Sequence, residues 1–165
     1  MRSDEEILSY ILRAKQEKAE RQRIEAERQA EEHAHKQVFF QASRVVLVNG
    51  VLPTMERFQL LCERGNLRAQ IVDTGAYYLP GSAPADMMCR FQMPIISRPV
   101  IEMPLAVSFK AVFPVGMAVY FSDVNVGQAE AEAKGEVEEY DLGEVGVDLV
   151  EDRVLQVLAN YMHEP

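Results

Sequence analysis

The sequence has few of the side chains from which catalytic and metal sites are built. It contains no tryptophan, two cysteines and three histidines in 165 residues. Cys62 and Cys89 lack the close spacing of a zinc site and form no dense disulfide framework. We therefore expect a reducing compartment, with both thiols acting as small core hydrophobes. His33 and His35 stand two apart on a predicted helix, where they point to different sides and do not suit a shared metal.

Nucleotide-binding and catalytic motifs are also missing. The chain has no GxGxxG, no P-loop and no CxxC. Its paired carboxylates lie among solvating neighbours, whereas a general acid needs an apolar pocket that raises its pKa. We predict that the protein is not an enzyme, with no catalytic residue, no cofactor and no metal.

Basic charge is scarce, and this disfavours a nucleic-acid partner. The formal net charge is -9 and the isoelectric point is about 4.9, whereas phosphate binding needs clustered Lys and Arg. Between Gln128 and Asp152 only Lys134 opposes the acidic residues, which are Glu130, Glu132, Glu136, Glu138, Glu139, Asp141, Glu144, Asp148, Glu151 and Asp152. This segment is either a solvated surface or a docking face for a basic partner.

No segment predicts secretion or a membrane span. The amino terminus lacks the basic and then apolar run of a signal peptide. Residues 103–121 carry one charge, Lys110, but Pro104, Pro114 and Gly116 interrupt them and their alternation suits strands. We expect a cytoplasmic protein, or one incorporated into a virion or other assembly made in the cytoplasm.

The first 48 residues contain neither Pro nor Gly and predict one long helix. Ser3 to Glu6 has the form of a capping box, and Asn49-Gly50 that of a left-handed carboxy-terminal cap. Such a helix has about 45 residues and is roughly 65–70 Å long. We assign 1–50 to a stalk or oligomerisation segment. The alternative for 44–52 is a hairpin around Asn49-Gly50.

This helix is apolar at both ends and charged between them. Arg13, Glu17, Arg21 and Glu25 predict an i,i+4 ladder, as do Glu32 and Lys36. Five residues recur every seven positions: Leu12, Ala19, Ala26, His33 and Phe40. The second core position of this heptad is filled mostly by polar residues, so the pattern does not require a tight coiled coil. A free ion-paired helix is one interpretation, and packing against copies or another protein is the one we favour. The predicted partner interface is Ile7, Leu8, Ile11, Leu12, Val38, Phe39, Val45 and Val46.

Residues 51–165 predict a β-rich domain. A short helix, 54–64, places Met55, Phe58, Leu61 and Cys62 on one side and ends at Gly65-Asn66. The predicted strands are 67–72, 76–79, 87–93, 100–113, 117–126, 136–140 and 143–147. Asp148 caps a last helix, 149–162, with an apolar stripe of Val150, Val154, Leu155, Leu158 and Tyr161. The fold class is α+β: a long N-terminal helix, a short second helix, an antiparallel β-sandwich or barrel-like sheet, and a C-terminal helix.

Residues 90–100, RFQMPIISRPV, resemble the first strand of small β-sandwiches of the H-type lectin and phage-tail kind. Val119, Tyr120 and Phe121 loosely resemble that family's later aromatic strand, whereas a closing helix departs from its pattern. The resemblance implies a helical stalk before a trimeric β-sandwich that binds sugars or completes a virion part. It assigns no binding residues here.

These observations predict a non-enzymatic structural or assembly protein. The partners would be itself, as a homo-oligomer, and neighbouring assembly proteins such as those of a phage virion or tail. One alternative is an adaptor or secretion-chaperone-like module for a basic or unfolded client. Another is a small-ligand or sugar-binding β domain.

Overall fold

The structure is a computed structural model that describes residues 1–74, 87–94, 105–124 and 126–163. It is α+β, with a long N-terminal helix, an antiparallel sheet and a C-terminal helix. The chain divides into two units, Met1–Gln37 and Val38–Pro165. The functional division into 1–50 and 51–165 stays a prediction.

Helix α1 covers Asp4–Val46, 43 residues. Its predicted capping box is confirmed. The Glu6 amide donates to Ser3 Oγ at 3.2 Å, and the Ser3 amide donates to Glu6 Oε2 at 3.0 Å. Two amides at the helix start, where no intrahelical acceptor is available, are thereby satisfied.

The predicted helix end at Asn49-Gly50 is wrong. The chain continues through a π-turn, Leu47–Val51, into α2, Leu52–Arg64, and the Leu52 amide donates to the Leu47 oxygen. Neither Asn49 nor Gly50 has a positive φ, so the left-handed cap is absent, and so is the alternative hairpin. Leu47 and Val51 are fully buried, and this burial outweighs the local preference of Asn-Gly for a turn.

The π-turn keeps one row of side chains facing the core. Ser43, Leu47, Val51 and Met55 are all fully buried at four-residue intervals. In an unbroken α-helix such a row turns by about 40° at each step, because a turn takes 3.6 residues. A π-turn has hydrogen bonds from residue i to i+5 and so takes more than 3.6 residues per turn, which reduces this drift.

Helix α2 ends near its predicted boundary. Its last residues lead into Gly65 and then Asn66, which has a left-handed φ of 60°. Met55, Phe58 and Cys62 are buried as expected, but Leu61 is 49% exposed. The prediction that Leu61 shares their side is therefore wrong, because the buried face follows the 58-to-62 row.

The described strands form one open antiparallel sheet in the order β1-β2-β3-β4-β5. They are β1 Gln70–Asp73, β2 Met88–Gln92, β3 Ala106–Val112, β4 Gly116–Ser122 and β5 Val137–Tyr140. One row across the sheet joins Ile71, Phe91, Val107 and Phe121. The predicted strand 76–79 lies outside the described residues. Within 105–121 the expected strand character is confirmed by β3 and β4, whereas residues 103 and 104 lie outside the described residues.

The acidic segment folds differently from the prediction. Gln128–Ala133 forms helix α3, which was not expected, and 143–147 is not a strand. Leu142–Glu144 is a 3-10 turn with a capping box between Asp141 and Glu144. Helix α4, Val147–Met162, follows Gly146, so Asp148 lies in its first turn and is not its cap. A carboxylate there still favours the positive helix end.

The core lies between one face of the sheet and the helices. Val107, Phe109 and Val119 belong to one buried cluster with Met55 of α2 and Val154 of α4. Helix α4 is amphipathic as predicted except at Leu155, which is 53% exposed, while Val157 is buried. Burial of this stripe seals the sheet face.

Candidate interaction surfaces

The predicted apolar patch at the start of α1 is exposed. Fractional exposure is 45% for Ile7, 56% for Leu8, 53% for Ile11 and 52% for Leu12. All four belong to the unit Met1–Gln37, in which residues 1–36 are all exposed. A contiguous exposed apolar patch of this kind is a candidate interaction surface.

The second predicted patch splits into exposed and packed members. Val38 is 71% exposed and Val45 54% exposed. Phe39 and Val46 are half-buried against the core cluster, and the Phe39 ring meets Phe113 edge-on with centroids 5.4 Å apart. Val38 and Val45 are thus the members of this patch that are open to a partner.

Ion pairs run along the middle of α1. Their N–O distances lie between 2.5 and 3.4 Å, and they join Arg23 to Glu20 and Glu27, Arg28 to Glu25 and Glu32, and Lys36 to Glu32. The predicted Glu32–Lys36 pair is confirmed. The predicted ladder of Arg13, Glu17, Arg21 and Glu25 is wrong, because none of its three pairs is among the ion pairs of the described residues. Arg21 Nε donates to the Glu17 backbone oxygen at 3.4 Å, and Glu25 pairs with Arg28. The Arg23 guanidinium holds the pKa of Glu20 below its ordinary value, but both groups are solvated and such pairs stabilise a helix little.

The acidic segment is largely a solvated surface. Every acidic residue from Glu130 to Asp152 is exposed except Glu151, which pairs with Arg57 of α2 at 2.5 Å. Lys134 pairs with Glu130 within the segment at 3.6 Å. Glu138 and Asp152 pair with Arg153, and the other exposed carboxylates are accessible to a basic partner.

Arg153 forms a polar cluster between α4 and β5. Its Nη2 donates to Glu138 Oε2 at 2.7 Å and to Tyr140 Oη at 3.0 Å, and the Tyr140 hydroxyl donates to Glu138 at 2.5 Å. The hydrogen bond from Tyr140, and then that from Arg153, lowers the pKa of Glu138. The bond to Glu138 also raises the pKa of Tyr140. The cluster thus links α4 to β5.

Both cysteines are buried and free, as predicted. The Cys89 thiol donates to Asp73 Oδ1 at 3.4 Å. Burial, and secondarily the Asp73 carboxylate, raises the pKa of the Cys89 thiol, which disfavours its thiolate. His33 Nε2 lies 3.1 Å from Gln37 Nε2. Within the described ranges no group of three or more His, Cys, Asp or Glu side chains could hold a metal ion.

Two exposed apolar residues of α1 were not included in the predicted interface. Tyr10 is 71% exposed and Ile24 is 53% exposed. Ile24 stands alone among charges in the sequence, so inspection of local apolar runs misses it. Alternating steps of three and four residues lead from Ile7 through Tyr10 and Ile24 to Val38. This periodicity is the sequence signal that could have identified Tyr10 and Ile24.

One helical stretch of the described chain passes a test for membrane spans. Asp4–Arg64 contains an 18-residue window of mean hydropathy 1.3, 28% of which is buried. A core helix of a soluble protein passes the same test, which rests on length and composition only. Leu47, Val51 and Met55 of this stretch are fully buried in the core. The absence of a membrane span stays a prediction.

No family model, curated protein or solved structure matches the chain. Of the stretch that resembles phage-tail and H-type lectin sandwiches, 90–94 belongs to β2 and the residues that follow it, whereas 95–100 lies outside the described residues. The argument for function therefore rests on the surfaces of the chain itself.

Proposed function

We propose that the protein is a non-enzymatic assembly subunit that associates with copies of itself, or with neighbouring proteins, through α1. One observation carries this proposal: Ile7, Leu8, Ile11 and Leu12 are about half exposed on the first turns of that helix. Their burial at a contact removes apolar surface from water, and this is the main driving force of association.

The charged middle of α1 supports the same function. A helix whose ion pairs are satisfied locally can remain solvated there, while its apolar positions supply the contact. Charges beside such a contact set orientation and reject wrong partners more than they add affinity. The domain Val38–Pro165 then provides a folded body with a second contact surface in its acidic segment.

Substitution of Ile7, Leu8, Ile11 and Leu12 by Ser tests the proposal in the full chain. We expect the mass measured by light scattering to fall from an oligomer to a monomer, while the melting transition of the β-rich domain is unchanged. The reason is that the four side chains contribute to association and not to the core.

A matched control substitutes Ser for Ala19, Ala26, Ala30 and Ala34. These residues are exposed on the same helix, so the control carries a similar cost in helix propensity without loss of the apolar patch. It should remain an oligomer. A wild-type chain that is monomeric at all concentrations would contradict self-association.

The exposed acidic segment favours a second candidate, an adaptor for a basic or unfolded client. An adaptor would be a monomer or dimer whose mass changes when a basic peptide is added, and the complex would weaken with salt. A closed oligomer that ignores such a peptide would contradict this candidate.

Two of the more specific proposals rest on the short resemblance, namely a place in a phage virion or tail and sugar binding. Synthesis in the cytoplasm is proposed from the absence of a signal-peptide pattern and the few cysteines, and a sandwich or barrel built on the observed sheet is proposed from the strand pattern. No contact in the described chain adds support to them.

A further inference from the structure

The apolar patch at the start of α1 lies between an acidic and a basic segment of the same helix. The first turn, before the patch, contains Asp4, Glu5 and Glu6. The basic residues that follow the patch are Arg13, Lys15 and Lys18. All of these residues are exposed and belong to the unit Met1–Gln37. A surface with opposite charge at its two ends is complementary to a copy of itself that runs in the opposite direction.

One line along this part of the helix contains residues of both kinds, and its members are Asp4, Leu8, Ile11 and Lys15. Steps of four, three and four residues separate them, and such steps place side chains on one face of a helix. Ile7 is four residues before Ile11, and Leu12 is four residues after Leu8, so these two widen the face on opposite sides. The face thus contains the whole apolar patch, with a charge of opposite sign at each end.

We propose that this face binds the same face of a second copy antiparallel, with the two-fold axis at the level of Ser9 and Tyr10. Leu8 of each copy then faces Ile11 of the other, and Asp4 faces Lys15. Ile7 and Leu12 flank these contacts and are covered with them, so pairing removes all four residues of the patch from water. This pairing rests on the proposed function, self-association through α1, and specifies its orientation and register.

The charges select this arrangement over two others. In a parallel, in-register pair, Asp4 faces Asp4 and Lys15 faces Lys15, which disfavours association. In an antiparallel pair shifted by one heptad, either Leu8 faces Asp4 or Ile11 faces Lys15, so charged side chains cover aliphatic ones. Within the described ranges neither Asp4 nor Lys15 takes part in an ion pair, so both are available to a second copy.

Charge reversal in the full chain tests the contact between Asp4 and Lys15. D4K and K15E should each weaken dimerisation about ten-fold, because each change brings like charges together at both symmetric contacts. The double variant D4K/K15E should regain the wild-type dissociation constant to within about three-fold, since opposite charges face each other again. Light scattering over a dilution series measures all three.

Two features of these variants separate pairing from helix stability. D4K places a cation in the first turn, which is unfavourable for the helix, but the double variant keeps that cation, so its recovery reports on pairing. R13E is the matched control for K15E, because residues two apart in a helix differ by about 200° and Arg13 therefore lies on the other side of α1. R13E should leave the dissociation constant unchanged. Single variants that associate like the wild type, or a double variant that stays weak, would overturn the proposed contact.

A distance between spin labels tests the register. Gln29 is exposed and lies in the same unit, and Cys62 and Cys89 are only 5% and 0% exposed, so Q29C directs the label to one position. In the proposed register the two labels lie about 58 Å apart along the helix, a shift by one heptad changes this by about 10 Å, and a parallel pair brings them side by side. Either alternative distance, measured by electron paramagnetic resonance, would overturn the proposed pairing but leave the proposed function. A wild-type chain that is monomeric at all concentrations would overturn both.

Discussion

Gly50 could accept a side chain, whereas Gly116 could not. Gly50 lies in the π-turn without a positive φ, and a Cβ there would meet no atom within 4 Å. Gly116 has φ +134°, and a Cβ there would lie 2.2 Å from the Tyr140 backbone oxygen. The first glycine is thus dispensable to the fold, whereas the second is required by the β4–β5 contact.

At the residue scale, Gly50→Ala should stabilise the protein by about 0.5–1 kcal/mol, because alanine loses less conformational entropy in a helix. The matched substitution Gly116→Ala should destabilise it by about 2 kcal/mol or more through strain and collision. Chemical denaturation of both variants measures the difference. A destabilised Gly50→Ala would indicate the left-handed cap that the sequence suggested.

At the scale of elements, Arg153 joins α4 to β5. Its side chain is 17% exposed, against 49% for Glu138. Arg153→Met should cost about 1 kcal/mol, because charge-assisted bonds to Glu138 and Tyr140 are lost but the carboxylate is partly screened. Arg153→Lys keeps the charge but not the geometry of the two hydrogen bonds. Its stability should therefore lie between those of the wild type and Arg153→Met.

This loss should depend on pH. Since the folded-state pKa of Glu138 is lowered from the ordinary 4.5, the contribution is complete above about pH 4.5 and decreases as pH falls through the lowered value. Unfolding free energies of wild type and Arg153→Met should converge at acid pH. A constant difference would show that packing of the side chain, and not its charge, accounts for the loss.

Elements with long periodic patterns were predictable from the sequence. The capping box, the long helix, most strands and the amphipathic α4 follow from residue spacing. The π-turn does not, because Asn-Gly is a strong cap signal and only burial of Leu47 and Val51 outweighs it. The six-residue α3 is too short for a periodic signal. Residues 143–147 were predicted as a strand because Val and Gly alternate there with other residues, a pattern that strands also show.

The candidate surfaces were predictable in part for related reasons. The Ile7–Leu12 patch is a local apolar run in a predicted helix, so the sequence alone indicates it. Phe39 and Val46 could not be assigned, because their half-burial depends on tertiary packing. Ile24 was missed because it stands alone among charged residues in the sequence.

At the scale of the whole molecule, the division after Gln37 predicts which truncations fold. A chain of 38–165 should melt like the full-length protein, because it keeps Leu47 and the half-buried Phe39. A chain of 51–165 loses Leu47, which is fully buried, and should be destabilised by about 3 kcal/mol or more. Calorimetry of both fragments checks this, and equal stability would contradict a core role for residues 38–50.

The last strand of the described sheet has a consequence for aggregation. β5 has four residues, VEEY, and as the final strand of the sheet order it presents an unpaired rim on which another chain's strand could grow. Glu138 and Glu139 are adjacent in a strand and so project to opposite faces, and strands of two copies brought together there would repel on both. The short acidic edge of the described sheet thus disfavours strand pairing between copies.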